Sequence, residues 1–525
     1  MENTKEQHDE IGSTTNEAAG IAQETMDSEA KQGSEDVGSI FEKSNLHETV
    51  IIEDEENLSN ITNEDKPSKE TKKKKIGEWI NKNPITSLII AVIATFFGAQ
   101  IPRIIVYFRC ERKPYVTFEA DFTQVFHLSE EIPTLEYSVG GKKWKKLGRQ
   151  NIVFGRDRGK LLLRGNNAWG TSYYKNNHHG LAREFWATVS FASDAQVICS
   201  GDIRTLLDYT NYNTVSTSEA RFNRLFENCT QLVVAPELLA TDLADRCYDH
   251  MFSGCISLKT APDLPADTLT YGCYAHMFSG CTSLERAPIL RAKNLADWCY
   301  WSMFSDCISL ERVPELPAKQ LDTGCYMLMF SGCSSLKYAP NKLPALELAD
   351  DCYCCMFSNC TSLQIAPQLP AKQLASGCYE HMFSDCSSLR YAPGNLPAEQ
   401  LASGCYAHMF SGCSSLEHAP YILPAMELAK ICYYGMFSNC TSLESAPELP
   451  AEQLASGCYL EMFSGCTSLS EITMLATDIN VSRYLKDWLK DTASSGTLYK
   501  NTNAKWDENG IVPSGWKVKP VSPTK

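Results

Sequence analysis

A repeat of 26 or 27 residues runs from residue 226 to residue 469 and dominates this chain of 525 residues. Its clearest unit reads C-Y-x-x-M-F-S-x-C-x-S-L-x-x-A-P-x-L-P-A-x-x-L-A. The first cysteine recurs in nine full copies, and a second cysteine always follows eight residues later. A unit of this length cannot bury its own apolar face, so neighbouring units must stack. The repeat therefore predicts one continuous solenoid over residues 220–470.

Each unit divides into two halves with different local preferences. In the copy at residues 292–307, the apolar side chains fall on one side of a helical projection, which predicts a helix with a broad apolar stripe. The second half, S-L-x-x-A-P-x-L-P, contains too much proline for a helix and predicts a short extended segment. We therefore expect one helix and one short extended segment in every coil.

Charge is concentrated at the start of the chain. Residues 1–65 carry 18 acidic side chains and three lysines, so they account for the whole net charge of −15. The remainder is balanced, which argues against a nucleic-acid partner, because such proteins present a basic face. The polar composition of the first segment cannot offset the entropy cost of folding. We expect residues 1–83 to form a disordered acidic tail that ends in a basic run.

An apolar stretch without charges, residues 85–101, follows six lysines between Lys66 and Lys75. A bilayer span needs about 20 apolar residues, and the stretch extends past Arg103 to residue 108. It lies too far from the N-terminus for a signal peptide. The pattern predicts a single transmembrane helix over residues 84–108, with a buried core helix as the alternative. The lysines favour a cytoplasmic N-terminus and an exported C-terminal body.

Residues 114–205 predict a small β-rich domain. Short apolar or alternating runs are separated by turns that contain glycine, asparagine and lysine. This spacing is typical of a small sandwich-like module. The predicted strands are residues 115–118, 134–138, 152–154, 160–163, 187–191 and 196–198.

The alternation of M-F-S-G-C-T-S-L with L-x-x-A-P-x-L-P resembles the BspA-like leucine-rich repeat of bacterial surface proteins. The resemblance covers roughly half of the chain in nine full copies. It implies surface display, binding of host or matrix proteins, and no catalytic residues. The segments around Trp488 and Trp516 resemble the closing segment of such arrays, so we expect residues 471–525 to cap the solenoid. The predicted fold is an α/β solenoid of leucine-rich-repeat type, preceded by the β-rich domain, the transmembrane helix and the disordered tail.

The chain has 23 cysteines, and most of them occupy the repeat. The repeat cysteines share the apolar stripe with tyrosine, methionine and phenylalanine, so we expect two ladders of small buried thiols. Disulfides are the main alternative, because exported proteins often carry them. A metal is disfavoured, because pairs eight residues apart on stacked coils do not supply a closed tetrahedral ligand set. We expect neither a metal nor a cofactor.

One candidate for partner binding lies on the strand side of the repeat. The position two residues after the repeat leucine varies between copies and forms a column when the coils stack. Arginine and tyrosine are enriched at interfaces. We therefore expect a ligand-facing strip at Arg286, Arg312, Tyr338 and Tyr391, with a merely solvated face as the alternative.

A second candidate lies between the Cys-Tyr and Met-Phe pairs of each copy. This position is unusually apolar in three successive copies, and exposed apolar patches often mark partner sites. Contact with a neighbouring loop or domain is the alternative. The predicted patch contains Trp301, Met327 and Leu328, with Cys354 and Cys355 beside them.

These features predict a membrane-anchored, non-catalytic interaction protein that displays its solenoid to protein or glycan ligands, in the manner of an adhesin. The alternative is a structural scaffold or spacer rod without a specific ligand. An enzyme is disfavoured, because the sequence has no nucleophile elbow, phosphate loop, H-E-x-x-H or paired-carboxylate signature. The expected location is the membrane, with a single pass through residues 84–108.

Overall fold

The computed structural model describes residues 114–176, 182–507 and 509–522. The acidic tail and the transmembrane helix predicted for residues 1–83 and 84–108 lie outside these residues. Within the described ranges, no helix combines the length and the apolar character needed to cross a membrane.

The N-terminal part of the described chain is built of short strands arranged in sheets. The strands are β1 (Val116–Glu119), β2 (Gln124–Leu128), β3 (Glu136–Val139), β4 (Lys145–Lys146), β5 (Ile152–Phe154), β6 (Leu161–Arg164), β7 (Ser172–Asn176), β8 (Ala182–Trp186), β9 (Val189–Phe191) and β10 (Val197–Ser200). Five of them lie in one sheet in the order β10-β1-β6-β3-β4, whereas β5, β2 and β9 form a second sheet and β7 pairs with β8.

A phenylalanine cluster joins the two sheets. The ring of Phe118 on β1 lies 5.4 Å from that of Phe126 on β2 and 5.8 Å from that of Phe191 on β9. The six predicted runs overlap strands β1, β3, β5, β6, β9 and β10. Strand β2 was not predicted, because the buried Gln124 starts its inward face and hides the alternation. The side-chain amide of this buried Gln124 donates hydrogen bonds to the carbonyl oxygens of Ser193 and Ala195.

The β-rich domain continues directly into the solenoid. Strand β11 (Leu232–Val234) pairs in parallel with β10, with Val197 opposite Leu232. Val234 in turn bridges to Thr260 of the next coil. The first coil therefore covers an open sheet edge, which otherwise invites pairing with another chain.

The prediction of one helix per coil was wrong, because the described residues contain no α-helix. Hydrogen bonds alternate in direction instead. Tyr274 and His276 donate their N–H groups to Cys299 and Trp301 of the next coil, whereas Met277 donates to Tyr274, three residues earlier. Every second N–H group thus bonds the next coil, and the others close turns within the coil.

Left-handed residues explain why these turns do not continue as a helix. One coil has positive φ at Arg246 (55°), His250 (55°) and Gly254 (73°), so every fourth residue reverses the local handedness. Glycine adopts this conformation readily, and among L-residues only Asn, Asp and His do so with any frequency. The third of these positions obeys the rule in every coil: Asn228, Gly254, Gly280, Asp306, Gly332, Asn359, Asp385, Gly412, Asn439 and Gly465.

The second half of each coil is extended and pairs in parallel with its neighbours. Thr260 bridges to Arg286 and Leu264 to Leu290. At the far end, three parallel strands close the array in the order β12 (Glu471–Met474), β13 (Gly496–Asn501) and β14 (Trp516–Val521). A π-helical turn, Val481–Leu485, leads to the buried Trp488, whose ring lies 6.4 Å from that of Phe463 in the last repeat. The closing segment therefore covers the end of the core.

Candidate functional site

Buried ladders of identical side chains fix the spacing of every surface column. The rings of Tyr300 and Tyr326 stack at 5.7 Å, and those of Phe278 and Phe304 stack at 5.6 Å. These contacts recur along the array, so residues at equivalent positions of neighbouring coils lie side by side.

The two cysteine ladders are buried, and every cysteine in the described ranges is a free thiol, with Cys355 half-buried. In the second ladder, each thiol donates to the phenylalanine carbonyl of the preceding coil. The Cys333 sulfur lies 3.1 Å from the Phe304 carbonyl oxygen, and burial raises the pKa of Cys333 to about 12, which keeps the donor protonated. In the first ladder, Cys247 alone among the described residues donates to a carbonyl, at 3.8 Å from Cys273.

The strand-side strip comes together as a single exposed column. Arg286 pairs with Thr260, Arg312 with Tyr338, and Tyr391 with Ile365 through parallel bridges. The four predicted residues Arg286, Arg312, Tyr338 and Tyr391 are all exposed, with Tyr338 and Tyr391 each 41% accessible. The exposed Ile365, 56% accessible, separates the two tyrosines and adds apolar area to the strip.

Aromatic and cationic groups of the strip stack on one another. The Arg312 guanidinium lies 4.2 Å from the centre of the Tyr338 ring, and the Tyr391 ring stacks on His418 at 4.9 Å. Arginine over an aromatic face is a favourable cation–π pair and leaves the outer edge of the guanidinium free for planar acceptors.

A column of charges, interrupted by Gln364, borders the strip at the preceding residue of each coil. Lys337 pairs with Glu311 at 3.4 Å, and Arg390 pairs with Glu417 at 2.8 Å. The Arg390 guanidinium lowers the pKa of Glu417, chiefly through their hydrogen bond. Exposed pairs of this kind contribute little to stability, but they offer a mixed-charge border to a ligand.

The second candidate patch lies on the turn side and is partly covered by its own neighbours. Trp301, Met327 and Leu328 are half-buried. The Trp301 ring meets His276 at 4.3 Å and Trp298 at 5.5 Å, both edge-on. Trp301 and Met327 share one column, whereas Leu328 stands in the adjacent left-handed column with φ 57°. The patch is therefore less accessible than the strand-side strip.

Family comparison accounts for this architecture. A profile described as BspA type Leucine rich repeat region (6 copies) matches residues 222–337, 246–364, 342–450 and 396–486, which together span just over half of the chain. The chain belongs to the BspA-type leucine-rich repeat family. Among solved structures, it is similar to a leucine-rich repeat protein from Bacteroides ovatus, with 18% identity over 57% of this chain and 86% of that chain and a TM-score of 0.23. No curated protein matches.

The sequence analysis did not predict one polar cluster in this BspA-type array. Asp351, Cys354 and Glu380 each bring a ligand atom within 4.8 Å of the others, and the Cys355 sulfur lies 3.6 Å from that of Cys354. The cysteines were grouped with the apolar patch, because nothing in the repeat pattern indicates which carboxylates of adjacent coils face them. The signal that was available is the Cys-Cys pair itself, which no other copy of the repeat contains.

The cluster perturbs the ionisation of its members. Burial, followed by the neighbouring Asp350 charge, raises the pKa of Asp351. Burial and then the Asp351 charge raise the pKa of Glu380. A hydrogen bond from Cys354 lowers the pKa of Cys355. The two carboxylates and the two thiols therefore lie close together at a partly buried site.

Proposed function

We propose that this BspA-type protein is a non-catalytic interaction protein that binds proteins or glycans along the strand-side strip. The observation that carries the proposal is the exposed stack of Arg312 on Tyr338, continued by Tyr391 in the same column. The consensus positions are buried and form the coil. Specificity for a ligand therefore depends on exposed positions that vary between copies, such as those of this column. Aromatic and arginine side chains on a rigid support supply most of the energy of typical interfaces.

The proposal includes a membrane anchor. Residues 84–108 have the apolar length of a single span, and the preceding lysines favour a cytoplasmic N-terminus. The β-rich domain and the solenoid would then be exported and available to extracellular ligands, as an adhesin requires. Protease treatment of intact cells tests this orientation: digestion of the array is expected, and complete protection would contradict it.

Binding is tested with the purified chain against immobilised extracellular-matrix proteins and a glycan array. Any ligand found is then titrated with wild-type protein and with the Arg312→Ala/Tyr338→Ala double variant. Loss of affinity in a folded double variant supports the strip as the site. A double variant with full affinity moves the site to the patch around Trp301 and Met327, whereas an array that binds none of these ligands favours the scaffold or spacer function instead.

A further inference from the structure

We propose that Asp351, Cys354, Cys355 and Glu380 form a binding site for a thiophilic divalent cation such as Zn²⁺, held between two neighbouring coils. Cys354 and Cys355 are the only cysteines of the repeat region that stand outside the two ladders. They therefore have no part in the regular packing of the core. The proposal is independent of the strand-side strip, because the cluster lies on the turn side of the coils.

The separation of the two sulfur atoms suits tetrahedral coordination, and the carboxylates lie close to them. Zinc binds thiolate sulfur at about 2.3 Å and carboxylate oxygen at about 2.0–2.2 Å, so its ligand atoms are separated by roughly 3.3–3.8 Å. The two sulfur atoms are 3.6 Å apart. The ligand atoms of Asp351, Cys354 and Glu380 lie within 4.8 Å of one another, so binding would require side-chain rotations that bring these atoms and the Cys355 sulfur to the required separation.

The backbone holds both coils in the register that the site needs. Cys355 donates its N–H to the carbonyl of Glu380 at 2.8 Å, and Asp351 donates to that of Ser376 at 2.9 Å. Gly377 lies between the two carboxylates, and a Cβ at this position would press against the Asp351 side chain and come within 3.4 Å of Glu380 Oε2. The absence of a side chain there leaves room for both carboxylates.

The charge of the cluster is not balanced by protein cations. Among the salt bridges of the described residues, none involves Asp351 or Glu380. Two thiols and two carboxylates are a ligand set for zinc and similar ions, since soft sulfur ligands select them over magnesium and calcium. A disulfide between the two cysteines would use the sulfur atoms but would leave the carboxylates without a role.

The test uses the full-length chain, reduced and freed of metal. Zn²⁺ and Cd²⁺ are titrated calorimetrically, and Co²⁺ is added to observe thiolate-to-cobalt charge-transfer absorption. We expect one equivalent to bind and the thermal midpoint to rise, because the ion joins two coils. Cys354→Ser/Cys355→Ser should abolish the absorption band. Asp351→Asn/Glu380→Gln should keep the thiols but weaken binding by more than about tenfold, the loss that even outer-shell changes produce.

Glu461→Gln is the matched control, because Glu461 occupies the coil position of Cys355 four coils further on and lies outside the cluster. It should bind the ions as wild type does. Far-UV circular dichroism establishes that the array stays folded, so that ladder thiols are not the ligands. Absence of stoichiometric binding to the reduced wild type overturns the proposal. Unchanged binding in the cysteine variant, or a Cys354–Cys355 disulfide that persists under reducing conditions, also overturns it.

Discussion

The Arg312 guanidinium lies over the ring of Tyr338 in the next coil, 4.2 Å from the ring centre. The two side chains pre-order each other, so a ligand that contacts them has less side-chain entropy to remove. Both residues stand on extended backbone joined by a parallel bridge, which makes their separation a property of the solenoid rather than of a flexible loop. This pair is therefore the strongest candidate for the centre of an interface.

The first prediction concerns this pair. Arg312→Ala/Tyr338→Ala should weaken a bound partner by about 2 kcal/mol or more, which is the usual scale for residues at the centre of an interface. The measurement is a binding titration against a ligand found by the array screens. Lys259→Ala/Glu444→Ala, at exposed positions near the two ends of the bordering charge column, should have a smaller effect. Full affinity in the first variant would make the patch around Trp301 and Met327 the better candidate.

The two cysteine ladders should respond differently to serine. Cys325→Ser should lower the free energy of unfolding by about 1–3 kcal/mol, because the buried hydroxyl lacks the carbonyl partner of the second ladder. Cys333→Ser should cost less, by about 1 kcal/mol, because its hydroxyl retains the Phe304 carbonyl as acceptor. Urea midpoints measure both changes. Equal losses would show that the thiol hydrogen bond contributes nothing to stability.

Alanine should be disfavoured at the left-handed position that Gly332 occupies. Gly332 has φ 76°, and an added Cβ would collide with the Asp306 carboxylate of the preceding coil. Gly332→Ala should therefore destabilise the array by more than about 1 kcal/mol, the cost of a left-handed L-residue. Gly394→Ala is the control, because its Cβ would meet nothing within 4 Å and its φ is not positive. Its effect should stay within about 0.5 kcal/mol, and similar losses in both variants would refute the prediction.

Mild acid should weaken the array through its stacked histidines. His276 and His408 each have a pKa of about 4, lowered from 6.5 mainly by burial and then by the neighbouring histidine. As the pH falls, these histidines are protonated in the unfolded chain before they are protonated in the folded chain. The stabilisation that the neutral histidines provide is therefore complete above pH 6.5 and is lost as the pH falls toward about 4. Between pH 7 and pH 4.5, the unfolding midpoint of the His276→Asn/His408→Asn variant should fall less than that of the wild type. Asparagine tolerates the positive φ of both sites, and an unchanged pH profile would contradict the assignment.

The repeat, the burial of the cysteines and the single strand-side column were predictable, because each depends only on which residues recur at the repeat spacing. The turns that replace the expected helix were not predictable, because apolar offsets of four and five residues fit a run of turns as well as a helix. The deciding signal was the recurrence of Gly, Asn or Asp at one left-handed position of every coil, from Asn228 to Gly465, where a helix would gain nothing from these residues. The polar cluster around Cys354 and Cys355 could not be predicted, because the sequence does not give the register between coils that brings Asp351 and Glu380 together.

The alternation of bonds within and between coils has a consequence for the length of the molecule. Each interior coil presents the same donors to one neighbour and the same acceptors to the other, whereas β10 and β12 terminate the series in ways that occur once. Copies can therefore be gained or lost as whole units of 26 or 27 residues while the new junction regains its bonds. The length of the array therefore depends on the number of copies, and the same two ends can close arrays of different length.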